Sequence, residues 1–325
     1  MNAAVLHALG RSPRFEHFPE PIPADGEVLV QVLASALKPV DKQMAAGSHY
    51  GSPREFPVIC GMDGVGLLAD GARVFFAAPR RPYGAMAERS IVHGSRCWPV
   101  PDALDDVTAA ALVNPGMSAW LSLTWRAKLE RGESVLIFGA TGVTGRLAVR
   151  VAKLLGAKRV IAAGRNREAL ESLRVLGADA VVPLADPQQD FTRSLTQGIG
   201  ETGIDIIIDY LWGKPTEALL AAVTRNDFAA ARSRRTRLIQ VGESAGPTIQ
   251  LPAAALRSST LEILGAGSGG VPPMEVLRSV YDELLARAAR GELGVDTEQV
   301  SLSKIEEAWE RPVPSGRRLV IICGR

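Results

Sequence analysis

The chain has 325 residues, 46% of them hydrophobic and 22% charged, with a formal net charge of +2. That length favours two domains over a single core, and the balance is that of a globular protein rather than a disordered one. So mild a charge gives no reason to expect a nucleic-acid partner, and no apolar run reaches the roughly 18 residues of a membrane span. The N-terminus lacks the basic and apolar regions of a secretory signal. Cys60, Cys97 and Cys323 are scattered and form no CxxC, which fits a reducing cytoplasm and offers no disulfide framework. His7, His17, His49 and His93 show no metal-ligand spacing.

Before Ala110 the chain is rich in short β-like runs punctuated by Pro and Gly, at Val28–Ala34, Val58–Ile59, Arg73–Ala77 and Arg89–Val92. These predict a compact, mostly β domain. From Ala109 longer helical patterns alternate with buried strands, the signature of an α/β domain. Ser134–Ala157, SVLIFGATGVTGRLAVRVAKLLGA, reads as an apolar strand, a glycine turn and an amphipathic helix in unbroken order. Gly139, Gly142 and Gly145 permit a tight turn, close backbone approach to a pyrophosphate, and close packing of helix on strand. Free N–H groups at the helix start would face the phosphates. Gly156 suits the C′ position.

The next strand, Arg159–Ala163, runs into Gly164-Arg165-Asn166-Arg167, with no carboxylate before Glu168. An acidic residue there would bind a ribose 2′-OH, whereas an arginine accommodates a 2′-phosphate, so NADP(H) is favoured over NAD(H). The competing reading makes Arg165 and Arg167 solvated helix-start residues. Further strands are expected at Ala180–Leu184, Ile204–Asp209, Arg237–Val241 and Leu261–Leu264, for six parallel strands in all. Helices are expected at Arg167–Leu176, Asp190–Thr196, Pro215–Thr224 and Met274–Arg290. The Arg-rich segment Arg225–Arg237 reads as a solvated connection, and Arg317–Cys323 as an apolar strand returning to the first domain.

In this order the chain resembles the medium-chain dehydrogenase/reductase superfamily, in its zinc-free NADPH:quinone oxidoreductase branch. The likeness rests on Gly26–Tyr50 (GEVLVQVLASALKPVDKQMAAGSHY), Phe56–Gly66 (FPVICGMDGVG), Gly84–Glu88 (GAMAE) and Asn114–Trp120 (NPGMSAW). It continues through the glycine turn, LGADAVV, GIDIIIDYLWG, RLIQVG and LGAGSGG. The resemblance implies a β-rich GroES-like catalytic domain at residues 1–112 and 268–325 and a Rossmann domain with a six-stranded parallel sheet at residues 113–267. Matching the zinc branch puts Lys38, Met62 and Pro115 at its catalytic ligand positions. None offers the thiolate, imidazole or carboxylate that zinc takes. The structural zinc lobe is missing as well.

Carried across residue by residue, the resemblance assigns Gly139, Thr141, Gly142, Val143, Thr144 and Gly145 to the pyrophosphate and Gly164, Arg165 and Asn166 to the 2′-phosphate side. It assigns Val241, Gly242, Gly265, Ala266 and Gly267 to the nicotinamide, with Ser118 beside it and Arg317 as a basic residue of the returning strand. For Ser118 the alternative is helix capping. Tyr50 is the candidate for orienting or protonating the substrate, with a structural role equally open. Lys38 stands where the branch usually has Asn. Its ammonium either serves the cofactor or a developing enolate, or points to solvent. Gly64–Val74 abbreviates a hairpin that is longer in the family.

The expected activity is hydride transfer from NADPH, without zinc, to a quinone or an α,β-unsaturated carbonyl, by a cytoplasmic homodimer. Alternatives left open are a metal-free ketone/alcohol or tailoring reductase, and a non-enzymatic NADPH-binding sensor or structural protein.

Overall fold

In the computed structural model, which describes residues 1–184, 191–200, 203–224 and 235–324, the chain begins with β1 (Asn2–Leu6), β2 (Arg14–His17), β3 (Glu27–Leu37) and α1 (Pro39–Ala46). Next come β4 (Val58–Ile59), β5 (Asp63–Leu67), β6 (Arg73–Ala77), β7 (Arg89–His93), β8 (Cys97–Pro99) and α2 (Asp106–Leu121). The middle of the chain carries β9 (Ser134–Phe138), α3 (Val143–Leu154), β10 (Arg159–Gly164), α4 (Arg167–Ser172), β11 (Ala180–Pro183) and α5 (Phe191–Ile199). Beyond them lie β12 (Ile206–Asp209), α6 (Gly213–Val223), β13 (Thr236–Gln240), α7 (Ala253–Arg257) and β14 (Leu261–Gly265). The chain closes with α8 (Met274–Ala289), β15 (Asp296–Ser301), α9 (Ile305–Glu310) and β16 (Arg317–Ile322). Residues 185–190 and 225–234, which hold the start of the expected Asp190 helix and most of the Arg-rich connection, lie outside the described residues. No helix among the described residues is long and apolar enough to cross a membrane.

Two compact units result: Met1–Asn114 with Glu283–Arg325, and Pro115–Asp282. The divisions fall inside α2 and α8, so the second unit runs further along the chain than residues 113–267. The first unit is built on β3, whose residues serve three neighbours. Its first half pairs antiparallel with β7, its middle with β5, and its end with β16. This is why β3 is longer than the Val28–Ala34 run the sequence predicts. β16 also pairs in parallel with β15, so the apolar C-terminal run is a strand of the first unit's larger sheet. Val30, Val32, Phe76, Met86, Trp309, Leu319 and Ile321 share its core. The short Gly64–Val74 segment closes as a tight β5–β6 hairpin, with Leu68 N–H donating to Ala72 O at 3.0 Å and Asp70 Oδ1 accepting from Ala72 N–H at 2.9 Å.

The second unit holds one six-stranded parallel sheet in the order β11-β10-β9-β12-β13-β14. Val135–Phe138 and Ile206–Ile208 are fully buried, as befits parallel strands covered on both faces. Leu136, Phe138, Ile207 and Leu238 pack with Leu195 of α5 and Leu219 and Leu220 of α6. Strand order reverses between β9 and β12, the switch point at which open α/β sheets bind ligands outside the strands' C-terminal ends. Gly156, at φ +92°, terminates α3 as a C′ glycine.

All three cysteines are free thiols. Burial pushes Cys323 up to about 12 and Cys97 up to about 11, and drives Cys60 upward as well. The thiolate is the nucleophile, so at pH 8 even Cys97, the most accessible, is ionised to only roughly 0.1%. Iodoacetamide at pH 8 is expected to leave the native protein unmodified and to label all three cysteines after denaturation, as read by intact-mass spectrometry.

Candidate functional site

At the end of β9 the chain turns through Gly139, at φ +92°. Gly139 and Ala140 both donate N–H to Ala163 O, at 2.9 and 2.8 Å, fixing the turn on the neighbouring strand. A Cβ on Gly145 would lie 2.5 Å from Gly139 O and 2.6 Å from Ala140 Cα. The first turn of α3 is therefore laid directly on the glycine turn. A Cβ on Gly164 would meet Thr141 Cγ2 at 2.8 Å, so the end of β10 runs against that side chain. Gly142 differs, since a Cβ there would find nothing nearer than Gly139 O at 3.8 Å. It is the N-cap of α3 and supplies no side-chain cap. The first helical bond, Arg146 N–H to Gly142 O at 2.9 Å, leaves the N–H groups of Val143, Thr144 and Gly145 ahead of the ladder. An open side at Gly142, donors without helical partners and the positive end of the helix dipole together fit an anionic diphosphate.

The other assigned segments of this unit gather at the same edge. Register places Phe138, Ala163, Asp209, Gln240 and Gly265 in line across β9, β10, β12, β13 and β14. Gly139–Gly145, Gly164–Asn166, Val241–Gly242 and Gly265–Gly267 all follow from that line. Arg165 is exposed, whereas the side chain of Asn166 caps α4 by accepting from Ala169 N–H at 3.0 Å. Val241 and Gly242 donate to Asp209 O at 2.9 and 3.1 Å, and a Cβ on Gly242 would stand 2.7 Å from Tyr210 O. Ser118 lies within α2, ahead of its end at Leu121, so it does not cap the helix.

In the sequence Asp209 reads only as a strand end within GIDIIIDYLWG. Fully buried, Asp209 accepts from Thr216 Oγ1 at 2.6 Å, Leu211 N–H at 2.8 Å and Trp212 N–H at 3.0 Å. Burial pushes its carboxyl upward against the pull of these three bonds. It anchors Trp212, which sits at φ +55°, a conformation that costs a bulky residue about 1–3 kcal/mol. The available signal was an aspartate at a strand end followed four residues later by glycine, in DYLWG.

In the first unit Tyr50 is 78% exposed and rests on His49, with ring centroids 4.0 Å apart. Lys38 does not reach solvent. It is 3% exposed, and its Nζ donates to Asp63 Oδ1 at 2.9 Å and Ala36 O at 3.1 Å, with Asp41 Oδ2 at 3.5 Å. Burial opposes its charge, but the carboxylates of Asp41 and Asp63 outweigh that and hold Lys38 above the ordinary lysine range. Arg317 turns outward to Asp296 at 3.2 Å. Its neighbour Arg318, which the sequence reading passed over, is buried and donates to Leu37 O at 3.0 Å. One strand thus sends alternate arginines to opposite faces. Among the described residues no group of three or more His, Cys, Asp or Glu side chains is placed to hold a metal ion.

Comparison with known proteins follows this geometry. A quinone oxidoreductase of Lama guanicoe is 30% identical over 70% of this chain and 67% of its own length. The chain belongs to the quinone oxidoreductase branch of the medium-chain dehydrogenases/reductases. A quinone oxidoreductase of Sus scrofa is 28% identical over 90% of the chain and 82% of its own length. The quinone oxidoreductase of Thermus thermophilus, solved also as its complex with NADPH, superposes with a TM-score of 0.80 at 27% identity, covering 99% of this chain and 100% of that one. The zinc-binding dehydrogenase family matches residues 143–281, a stretch that begins after Lys38, Met62 and Pro115. The residues at those three positions do not fit a zinc ion.

The two glycines of the turn separate packing from binding. Gly145→Ala is expected to cost at least about 2 kcal/mol in urea denaturation, because its contacts are rigid backbone. Gly142→Ala, with open space and an ordinary φ of −73°, is expected to change stability by less than about 1 kcal/mol while weakening dinucleotide binding, measured by fluorescence titration.

Proposed function

We propose that this chain is an NADPH-dependent oxidoreductase that reduces quinones or α,β-unsaturated carbonyls without zinc. The observation that carries the reading is the uncapped N-terminus of α3 laid on the Gly139–Gly145 turn, followed after β10 by Arg165 and no carboxylate. The names of its relatives support quinone as the acceptor class and NADPH as the donor.

Val143, Thr144 and Gly145 would hold the diphosphate through backbone N–H groups, and Gly142 leaves room for it. Arg165 would meet the 2′-phosphate with a planar fork of donors. Val241, Gly242, Gly265, Ala266 and Gly267, at the ends of β13 and β14, would line the nicotinamide end. When bound, NADPH supplies a hydride, and electron-poor acceptors of this class need no Lewis acid to receive it. The protein's part is to orient and to exclude water. Tyr50 is assigned to orient or protonate the acceptor; its exposure suits a residue that meets substrate. Lys38 is removed from that role by its commitment to Asp63 and Asp41, and no step is routed through a metal.

The same reading includes a cytoplasmic homodimer joined through β14. That strand ends the parallel sheet, and Leu256, Val271 and Met274 around it in sequence expose 44%, 54% and 42% of their surface. Light scattering coupled to size exclusion should give twice the chain mass, and Leu256→Glu with Met274→Glu should halve it.

Activity is tested by following NADPH absorbance with a panel of quinones and enones. Turnover is expected, undiminished by a chelator. Arg165→Ala should raise KM for NADPH about tenfold, as loss of one charge-assisted contact implies, with KM for NADH little changed. A preference for NADH that survives the substitution, or loss of activity on chelation, would overturn the reading.

A further inference from the structure

In the first unit α1 ends at Gly47, which takes φ +81°, and Ser48 N–H donates to Gln43 O at 3.1 Å. The chain then folds at once into a second tight turn, with Ser52 N–H donating to His49 O at 2.9 Å. Inside that turn the imidazole of His49 curls back over its own backbone, and its Nδ1 accepts from Gly51 N–H at 3.0 Å. A Cβ on Gly51 would lie 3.1 Å from that nitrogen and 3.4 Å from Cε1, so glycine spares the ring a tight contact. From outside, Arg81 of the β6–β7 connection donates to Gly51 O and, at 3.5 Å, to Ser52 O. The turn is therefore held at His49, Gly51 and Ser52, while Tyr50 between them projects outward with most of its surface exposed. The Tyr50 ring lies on the His49 ring, with 33° between their planes.

We infer that His49 is a positioning residue for the acceptor, acting through Tyr50. The inference rests on the assignment of Tyr50 to the acceptor made above. An exposed phenol on a turn rotates about two side-chain bonds, and a substrate that has to fix it loses affinity to that ordering. His49 supplies the order in advance, in two ways. Its Nδ1 lone pair fixes the backbone that carries Tyr50, which requires the neutral ring with its proton on Nε2, since a protonated Nδ1 could only donate. Its face gives the phenol ring a surface to lie on, and contacts between aromatic rings favour some orientations over others. Neither service needs His49 to touch the acceptor. The two are chemically separable. Asparagine at this position keeps a side-chain acceptor for the N–H two residues on, as in an Asx turn, but has no ring. Phenylalanine keeps a ring and has no acceptor.

Steady-state kinetics of the full-length protein with NADPH and 1,4-naphthoquinone, together with thermal melting, test the proposal. His49→Ala should lower kcat/KM for the quinone about fivefold, the scale of ordering one side chain, with KM for NADPH and the melting temperature unchanged. His49→Asn and His49→Phe should each restore part of that loss. In a Tyr50→Ala background, itself impaired at least about fivefold, His49→Ala should change kcat/KM by less than about twofold, because nothing is left for it to position. Losses that multiply in the double variant would overturn this inference alone. So would a His49→Ala effect that falls equally on KM for NADPH and on melting, or no effect where Tyr50→Ala has one. A Tyr50→Ala variant with unimpaired turnover would overturn the assignment of Tyr50 and the inference with it. Absence of turnover in the wild type, with this quinone and with the wider panel, would overturn the functional reading as a whole.

Discussion

The second unit depends on backbone passing its neighbours more closely than a side chain on that backbone would allow. Around the ends of β9, β10 and β12, a Cβ at Gly145, Gly164 or Gly242 would fall within 2.8 Å of atoms already in place. These approaches bring α3 down onto the glycine turn, the turn onto β10, and the loop after β13 onto Tyr210. Since the neighbours at Gly145 and Gly242 are main chain, no rotamer change relieves a substitution there. The same closeness leaves the start of α3 pointing outward with its donors unused. Close packing and an open face with free donors are thus properties of one turn, divided between Gly145, which is filled, and Gly142, which is open. Asp209 extends the arrangement by tying three donors to one carboxylate and holding Trp212 in a conformation that it would not adopt alone.

The first unit meets a different constraint, that of charge without water. Four ionised side chains in a core are tolerable only when each finds opposite charge or a carbonyl within reach, because desolvation of any one of them alone exceeds what packing returns. Lys38 meets this through Asp63, Asp41 and Ala36. The consequence for function is that a lysine which reads as chemically available is fully occupied. Such a cluster adds little net stability over apolar residues of the same volume, yet it is intolerant of single changes, since removing one partner strands another.

Much of the architecture was legible in particular residues. Continuous apolar runs such as VLIF and IIID marked buried parallel strands, and Gly156 marked the end of α3. The helix expected over Arg167–Leu176 stops at Ser172, because helical periodicity does not report where the backbone begins to curl toward the next strand. β2, with exposed ends and four residues, carried no alternation to detect; it exists because β1 offers it an edge. Asn166, which the sequence places on the 2′-phosphate side, also caps α4 through its Oδ1, a local bond that composition does not reveal. Arg317 and Arg318 are adjacent and identical in type. Only the pleat of β16 against β3 and β15 decides that one meets solvent and Asp296 while the other is buried.

By itself, then, the amino-acid order determined what is local or periodic: the strand-turn-helix of Ser134–Leu154 and the absence of a carboxylate between Gly164 and Glu168. Those follow from short-range sterics and from residue chemistry, which need no knowledge of distant neighbours. Tertiary structure alone decided the partners of Lys38. Asp63 is 25 residues away and Arg318 lies at the far end of the chain, and a charge's meaning depends on what surrounds it once water is gone.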